Sequence, residues 1–567
     1  MKKIITSDIE ANNWINLSMV GLFDGENYFI FSSIKKYLDH LVTKKYHNYK
    51  VYFHNGGRYD FLFLLESLFE LGTLKFIQKV GGFIAIFFES KNGIKLSFID
   101  SYALLPKSLD TLIKDFGITD YQKIEVDFNV KHKFTDKVLR EHLKNDCYSL
   151  YYILEKFYNQ EGFLTLTISS YAMKIFLSKF FNGVIWNVSE STDKYFRDNF
   201  YKGGRVEVYK GYGKNLYYYD INSLYPSVMI EDMPLECPIQ TNKFMSDKIG
   251  FYEVEFLQDT YFLISPISIK TKTGNYYVNA KKGEIYSLIS NEILYLKKKN
   301  IKLKIISGYY FQRKAKIFLN YVNHYYNIKK NSKNETDRQI AKLMLNSLYG
   351  KFGQKLTGDV IEIRDTENVK YDFITYDAYN DLVLVHKDFN VKIKGVYISA
   401  YITSLARIKH LELMEKVGFE SIYYVDTDSI VTSKKIKTSD KLGAFKLEAE
   451  IREGVFITAK TYGYIDKNNN EVTHYKGFTK NVFSYNQFKK LALNELKELK
   501  DSKERMLSFK ECIKRKNGIK NIKGLYLKTT DQTKILKNSY DRRKKVYSKR
   551  HIFDTECFFK KDLTETK

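Results

Sequence analysis

The sequence predicts a multidomain α/β (α+β) protein in which strands deliver carboxylates to their ends. Three observations carry that prediction. A chain of 567 residues is too long to organise around one core. Its 44% hydrophobic and 16% aromatic residues supply ample material for several packed interiors. Short β-branched or aromatic runs repeatedly stop at an aspartate, with helical patterns between them.

Charge narrows the function. Lys and Arg number 92 against 66 Asp and Glu, a surplus of +26 that predicts a polyanionic partner. A membrane surface is the other polyanion, but no apolar run reaches the roughly 18 residues of a spanning helix. The first residues, Met1-Lys2-Lys3-Ile4-Ile5, run directly into Asp8 and Glu10, which is not the pattern of a secretory signal. Four cysteines without a Cys-x-x-Cys pair argue against a disulfide framework or a zinc finger and fit a reducing interior. A basic intracellular protein that binds nucleic acid is expected.

In chain order, residues 4–10 read as a strand with Asp8 and Glu10 on one face. A second strand, residues 51–53, ends in His54-Asn55-Gly56-Gly57-Arg58-Tyr59-Asp60, where two glycines permit a sharp turn that returns Asp60 toward the first strand. A helix over residues 137–157 carries His142 and Asp146, four apart and therefore on one face. Asp8, Glu10, Asp60 and Asp146 together offer enough oxygen ligands for two hard divalent ions and an activated water. Farther on, Leu216-Tyr217-Tyr218-Tyr219-Asp220-Ile221-Asn222-Ser223-Leu224-Tyr225-Pro226 is a strand ending in Asp220 and closed by a proline turn. On a helix from Thr336 to Gly350, Arg338, Lys342, Asn346 and Tyr349 recur along one face, with Ile340, Leu343, Met344 and Leu348 on another. Cations on such a helix can neutralise a triphosphate, and a ring can stack on a base pair. Finally, Tyr423-Tyr424-Val425-Asp426-Thr427-Asp428-Ser429 runs an apolar strand into two carboxylates one residue apart. On an extended backbone these point to the same side, suited to holding Mg²⁺ beside a phosphate.

Taken in order, these motifs resemble the protein-primed family B DNA polymerases of phages and linear plasmids. The first set, Asp-x-Glu, Asn-x-x-x-Tyr-Asp and the acidic helix, resembles the DEDD-type 3′–5′ proofreading exonucleases, which implies an RNase H-like domain. His142 takes the position of the usual tyrosine in the third motif, where an imidazole could orient or deprotonate the water. Ala11 stands where many relatives carry threonine. Asp100-Ser101-Tyr102-Ala103-Leu104 resembles a single-strand-binding motif, and Ser108-Leu109-Asp110-Thr111-Leu112 fits the same pattern. Tyr201-Lys202-Gly203-Gly204 resembles the Tyr-x-Gly-Gly segment joining exonuclease and polymerase domains. Asp220 to Pro226 matches Asp-x-x-Ser-Leu-Tyr-Pro completely, and Lys342 to Gly350 matches the nucleotide-binding helix.

The resemblance implies a right-hand palm, fingers and thumb after the exonuclease domain, with two insertions. Expected boundaries are residues 1–165 for the exonuclease, 166–205 for the connecting segment, 206–232 for the first part of the palm and 233–316 for the first insertion. Fingers follow at 317–352, a second insertion at 353–392, the rest of the palm at 393–484 and the thumb at 485–567. Strands are expected at 251–256, 261–264, 359–364, 370–376 and 381–386, a helix at 398–417, and a helical, lysine-rich tail with Asp541-Arg542-Arg543-Lys544-Lys545 gripping phosphates. By resemblance, Asp220, the Ile221 carbonyl and Asp428 hold two Mg²⁺ ions, with Mn²⁺ able to substitute, and Asp426 supports them. Asp8, Glu10, Asp60 and Asp146 hold the exonuclease ions. Tyr225 gates out a ribose 2′-hydroxyl, while Lys330 or Lys329 joins Arg338, Lys342, Asn346 and Tyr349 on the nucleotide. Asn55, Ser101, Tyr201, Gly203, Gly204, Thr427, Lys460 and Tyr462 contact DNA.

The function expected is a DNA-directed DNA polymerase with proofreading and strand displacement. Its partners would be template and primer DNA, dNTPs, a terminal (priming) protein and a single-stranded DNA-binding protein, in a host cytoplasm or a mitochondrial matrix. A polymerase using nucleic-acid primers is the close alternative. A nuclease that has lost synthesis would not need the Asp220, Lys342 and Asp428 motifs, and a non-catalytic basic DNA-binding protein would explain the charge but neither carboxylate cluster.

Overall fold

The computed structural model describes residues 3–79, 82–121, 124–127, 131–363, 373–377, 382–388, 391–479, 481–515, 527–539, 542–548 and 552–563. The first domain is built on β1 (Ile4–Asn12), β2 (Asn16–Phe23), β3 (Tyr28–Phe31), α1 (Ile34–Leu41), β4 (Tyr49–Phe53), α2 (Asp60–Leu71), β5 (Gly72–Lys79), β6 (Gly82–Ser90), β7 (Lys95–Asp100), α3 (Leu109–Asp115) and α4 (Lys137–Glu161). Its seven strands run in the order β3-β2-β1-β4-β7-β6-β5, with β1, β4 and β7 parallel at the centre. Central parallel strands must be covered on both faces. Helix α2 covers one face, with Phe61 to Leu65 and Leu68 all buried, and α4 packs on the other against Ile4 and Tyr52. Helix α4 starts where the Asp136 side chain accepts the Leu139 N–H and stops at Gly162, whose φ of 74° suits glycine.

Helices α5 (Ile168–Ile175) and α6 (Glu190–Asn199) lead to the second half. There β8 (Val206–Val208), β9 (Tyr212–Ile221) and α7 (Leu224–Met229) precede a separate sheet made of β10 (Met233–Thr241), β11 (Ile249–Phe256), β14 (Ile285–Ile289) and β15 (Leu303–Ala315). Between them lie the hairpin β12 (Ser268–Thr271) and β13 (Gly274–Asn279), and α8 (Ser290–Lys298) follows β14. The antiparallel pair α9 (Leu319–Asn331) and α10 (Glu335–Phe352) projects next, then the small sheet β16 (Thr357–Ile363), β17 (Phe373–Asp377) and β18 (Leu382–Asp388). Helix α11 (Val396–Val417) is buried along almost its whole length. It backs a second seven-stranded sheet, β23-β22-β21-β9-β20-β19-β8, which adds β19 (Ile422–Asp426), β20 (Ser429–Thr432), β21 (Phe445–Thr458), β22 (Thr461–Asp466) and β23 (Glu471–Tyr475).

Two expectations fail. Residues 261–264 form no strand; they are irregular chain crossing to the β12–β13 hairpin. The tail is mostly extended rather than helical: α12 (Tyr485–Ala492), β24 (Glu498–Met506), α13 (Phe509–Arg515), β25 (Thr529–Lys537), β26 (Lys544–Ser548), β27 (Ile552–Glu556) and β28 (Phe558–Phe559). Within its basic run, Arg543 is 0% exposed and cannot grip a phosphate. Its guanidinium donates to the Thr555 hydroxyl and to the Leu263 carbonyl instead. Asp541 and part of the expected strand at 370–376 lie outside the described residues.

Candidate active sites

In the first domain, β1 carries Asp8 and Glu10, and α2 begins at Asp60, whose Oδ1 accepts the backbone N–H of Ile9 at 3.1 Å. That bond ties the second acidic segment to the first, and a carboxylate at a helix N-terminus is favoured there by the helix dipole. The turn between β4 and α2 needs Gly57, because a Cβ there would lie 1.9 Å from the Phe83 carbonyl oxygen. Helix α4 brings in the third segment. The His142 Nε2 lies 3.4 Å from Glu10 and 3.7 Å from Asp146, with its Nδ1 2.8 Å from the Ile124 carbonyl.

The electrostatics reflect this crowding. Burial, then the charges of Asp60, Glu10 and Asp146, raise the Asp8 carboxyl well above its ordinary range. Burial, Asp146 and Asp60 push Glu10 up to about 8, and burial lifts Asp60 to about 7. Four carboxylates forced into one desolvated neighbourhood repel one another, which favours protonation or a cation among them. Asn55 is exposed in the same turn, with φ of 61°. Ser101 is withdrawn as a DNA contact: it is fully buried, donating its hydroxyl to the Phe53 carbonyl and meeting His54 Nδ1 at 2.9 Å.

The second site lies in the other large sheet. Asp220 at the end of β9 sits in register with Ser429 of β20, and Ser429 with Asp426 of β19. Asp426 and Asp428 share this end for a reason other than an extended backbone. Thr427 has φ of 61°, and the Asp428 N–H donates to the Asp426 carbonyl at 2.6 Å, so the pair flanks a tight turn. Thr427 N–H donates to the Arg205 carbonyl at 2.6 Å and Ile221 N–H to the Asp428 carbonyl at 2.7 Å, fixing the turn from both sides. The two aspartates then diverge. Lys460 grips both oxygens of Asp426 at 2.8 and 2.9 Å. Asp428, raised by burial, interacts with Asp220, which burial, Asp428 and Glu448 push up to about 7.

The α9–α10 pair faces this end. Tyr225 stacks on Tyr349, with ring centroids 4.5 Å apart and planes inclined by 17°. Lys329, rather than Lys330, turns inward, donating to Asn222 Oδ1 at 3.1 Å and Ser223 Oγ at 2.8 Å. Burial and neighbouring Lys342 lower its pKa, while Asp220 works the other way. Lys330 is exposed, because the helical phase of α9 turns it outward. Lys342 and Asn346 are exposed on α10, whereas Arg338 pairs with Glu335 at 3.2 Å near the helix start. Tyr462 is only 8% exposed, its hydroxyl 3.3 Å from that of Tyr218. Gly203 is exposed and Gly204 lies against Thr427, where a Cβ would meet Cγ2 at 2.8 Å. Of the two lysines left open in the sequence the structure selects Lys329, while the Arg205 carbonyl, a backbone contact to Thr427, was not anticipated.

Among the described residues, no three Asp, Glu, His or Cys side chains converge into a ready-made metal cage. The donors nonetheless fit a hard divalent cation. Both sites present carboxylate oxygens whose mutual repulsion such an ion would relieve.

A family model described as DNA polymerase type B, organellar and viral, matches residues 42–140 and 118–418. The DNA-directed DNA polymerase of Enterobacteria phage PRD1 is 30% identical, over 70% of this chain and 70% of its own length. A probable DNA polymerase of Podospora anserina is 28% identical over 80% of this chain but only 44% of its own. The chain spans about half the length of the Podospora anserina, Ascobolus immersus and Neurospora intermedia relatives (44%, 44% and 55%). Among solved structures, Phi29 DNA polymerase complexed with primer-template DNA and incoming nucleotides aligns with a TM-score of 0.74 at 20% identity. That alignment covers 95% of this chain and 100% of that one. The likeness shows a common fold: an N-terminal domain followed by a right-hand arrangement.

Proposed function

The chain belongs to the organellar and viral type B DNA polymerases, and on that premise we propose that it is a DNA-directed DNA polymerase with a second, 3′–5′ exonuclease site. The observation that carries this reading is the register of β9 on β20, which sets Asp220 beside the Asp426–Asp428 turn. Asp220, the Ile221 carbonyl and Asp428 would hold Mg²⁺ (Mn²⁺ substituting), which when bound activates the primer 3′-hydroxyl and stabilises the leaving pyrophosphate. Lys342 and Lys329 would neutralise the triphosphate, with Arg338 and Asn346 farther along the same face. The Tyr225–Tyr349 stack would close the sugar pocket against a 2′-hydroxyl, and Lys460, Thr427 and Tyr462 would seat the primer end. Asp8, Glu10, Asp60 and Asp146 would hold the exonuclease ions, and His142 would orient the water. Asn55, Tyr201, Gly203 and Gly204 would guide the strand.

The expected domain boundaries are retained as part of this reading, since element breaks near 165, 205, 232, 316, 352 and 392 support them. The separate β10–β15 sheet is the proposed dock for a terminal protein, whose hydroxyl would replace the primer's at initiation. A single-stranded DNA-binding protein would accompany strand displacement, in a host cytoplasm or mitochondrial matrix. None of the described helices is long and apolar enough to cross a membrane.

Primer extension on a long single-stranded template with Mg²⁺ tests the core of the proposal. Asp428→Ala should abolish extension yet keep degradation of single strands, and Asp8→Ala should do the reverse. Loss of both activities in either variant would contradict two separate sites. Protein priming requires a dNMP covalently attached to a partner protein, and its absence would leave a nucleic-acid-primed polymerase.

A further inference from the structure

Trp14 stands at the tip of the β1–β2 hairpin, four residues beyond Glu10. Three features single it out. It is 53% exposed, although tryptophan is a residue that folding normally covers. Asn13 and Trp14 both adopt left-handed backbone, with φ of 49° and 66°, and the Ile15 N–H closes the turn on the Asn12 carbonyl. Such turns favour Asn-Gly; a bulky ring at the second position is unusual and points to function. The hairpin end is also held firmly: Asn12 donates to the His132 carbonyl and accepts the His132 N–H, each at 2.8 Å. Trp14 is thus carried on a braced turn.

Its position relates it to the acidic cluster. The Trp14 ring meets Tyr59 edge-on, with centroids 6.0 Å apart and planes at 88°. Tyr59 immediately precedes Asp60 and feels the charges of Asp60, Glu10 and Asp8, and it packs edge-on against Phe63. An exposed indole therefore abuts a ring that interacts with the carboxylates. Aromatic faces bind unpaired bases with little sequence preference, because every base has a π face. Ala11, on the strand leading to the turn, has no hydroxyl to offer a strand.

We propose that Trp14 is a stacking platform for an unpaired base of the single strand entering the first-domain site. This rests on the exonuclease reading of that site. Trp14 touches substrate but not the reacting atoms, so its removal should weaken capture rather than chemistry.

The chain has two tryptophans, Trp14 and Trp186, so a W186F D8A protein reports on Trp14 alone and leaves DNA intact. Oligo(dT) should quench its emission along a titration that parallels binding measured by anisotropy of a labelled oligonucleotide. In the otherwise wild-type protein, W14A should raise KM for single-strand degradation about tenfold while kcat stays within about twofold. W14F should recover most of that loss, and extension of a correctly paired primer should not change. Emission that stays constant at saturating oligonucleotide would overturn the proposal, as would an unchanged KM in W14A. Wild-type protein that leaves single strands intact would instead overturn the exonuclease reading itself.

Discussion

At the scale of single residues, the Asp426–Asp428 turn depends on contacts that no local motif encodes. Thr427 can adopt its left-handed backbone because its N–H is captured by the Arg205 carbonyl and its hydroxyl donates to Asp426 Oδ1 at 3.2 Å. Gly204, one residue before Arg205, has room for no side chain: a Cβ would lie 2.8 Å from Thr427 Cγ2 and 3.1 Å from its Oγ1. Thr427 cannot retreat without releasing one of its bonds. Gly204→Ala should therefore displace the Asp426–Asp428 turn and lower primer extension by about a hundredfold, the effect of roughly 1 Å of misplacement in a catalytic site. Degradation of single strands should fall far less than extension, because the added Cβ meets Thr427 and not the Asp8 cluster, and measuring both rates on one preparation checks this. The aspartates themselves were legible in the sequence, because an apolar strand stopping at a carboxylate is a local pattern. Which lysine faces them was not: Lys329 and Lys330 are adjacent, and only the docking of α9 distinguishes them. Trp14 was invisible for the same reason, since exposure is a property of the fold.

At the scale of elements, a buried ionic cluster fastens α8 and the β12 and β14 strands to α11 and to the segment before β8. Arg407 of α11 donates to Glu292 of α8 at 2.6 Å and to the Lys202 carbonyl at 2.7 Å, and Lys202 donates to the Ser268 and Ser287 carbonyls. Burial alone would raise Glu292, but Arg407 and Lys202 hold its carboxyl below the ordinary value. Glu292→Ala would leave Arg407 buried and unpaired, costing about 3–5 kcal/mol. A lowered melting temperature for this variant, with little change for an exposed control such as Glu495→Ala, is the expected calorimetric result. Lys202 adds a pH signature. Burial lowers its pKa to about 8 despite Glu292, against an ordinary 10.5. Between those values the unfolded chain binds more protons than the folded one, so stability rises with pH across the window. Below about pH 8 the full penalty of the buried charge is present. Urea midpoints at pH 7.5 and 10 should show that rise, and Lys202→Met should flatten it. Charged residues such as these read as surface in a sequence, and only the converging elements make them core. The strand β24 was misread for a related reason. Its Glu, Leu, Lys and Met are good helix formers, but pairing with β25 along its whole length overrides that preference.

At the scale of the molecule, the two large sheets follow from strand patterns that are local in the sequence, whereas their fastening depends on the tail. Phe509 of α13 packs against Phe83 of the first domain, with ring centroids 4.9 Å apart. Thr555 of β27 donates to the Val208 carbonyl of β8, and the Lys210 backbone bridges to Asp554. Phe558 and Phe559 then pair in parallel with Val278 and Asn279 of β13. A two-residue strand pairing with one some 280 positions earlier leaves no periodicity to read, so this strap was beyond sequence reasoning. It has a testable consequence. A chain ending at Cys557 keeps Arg543, Asp554 and Thr555 in place but removes the outer partner of β13. Because among the described residues β13 otherwise pairs with β12 alone, its backbone should open far more often. Amide exchange across residues 274–279 should accelerate by about tenfold or more, while exchange in β1 and β4 and degradation of single strands stay as in the full chain. Unchanged exchange in β13 would mean that the tail rests on this hairpin without holding it.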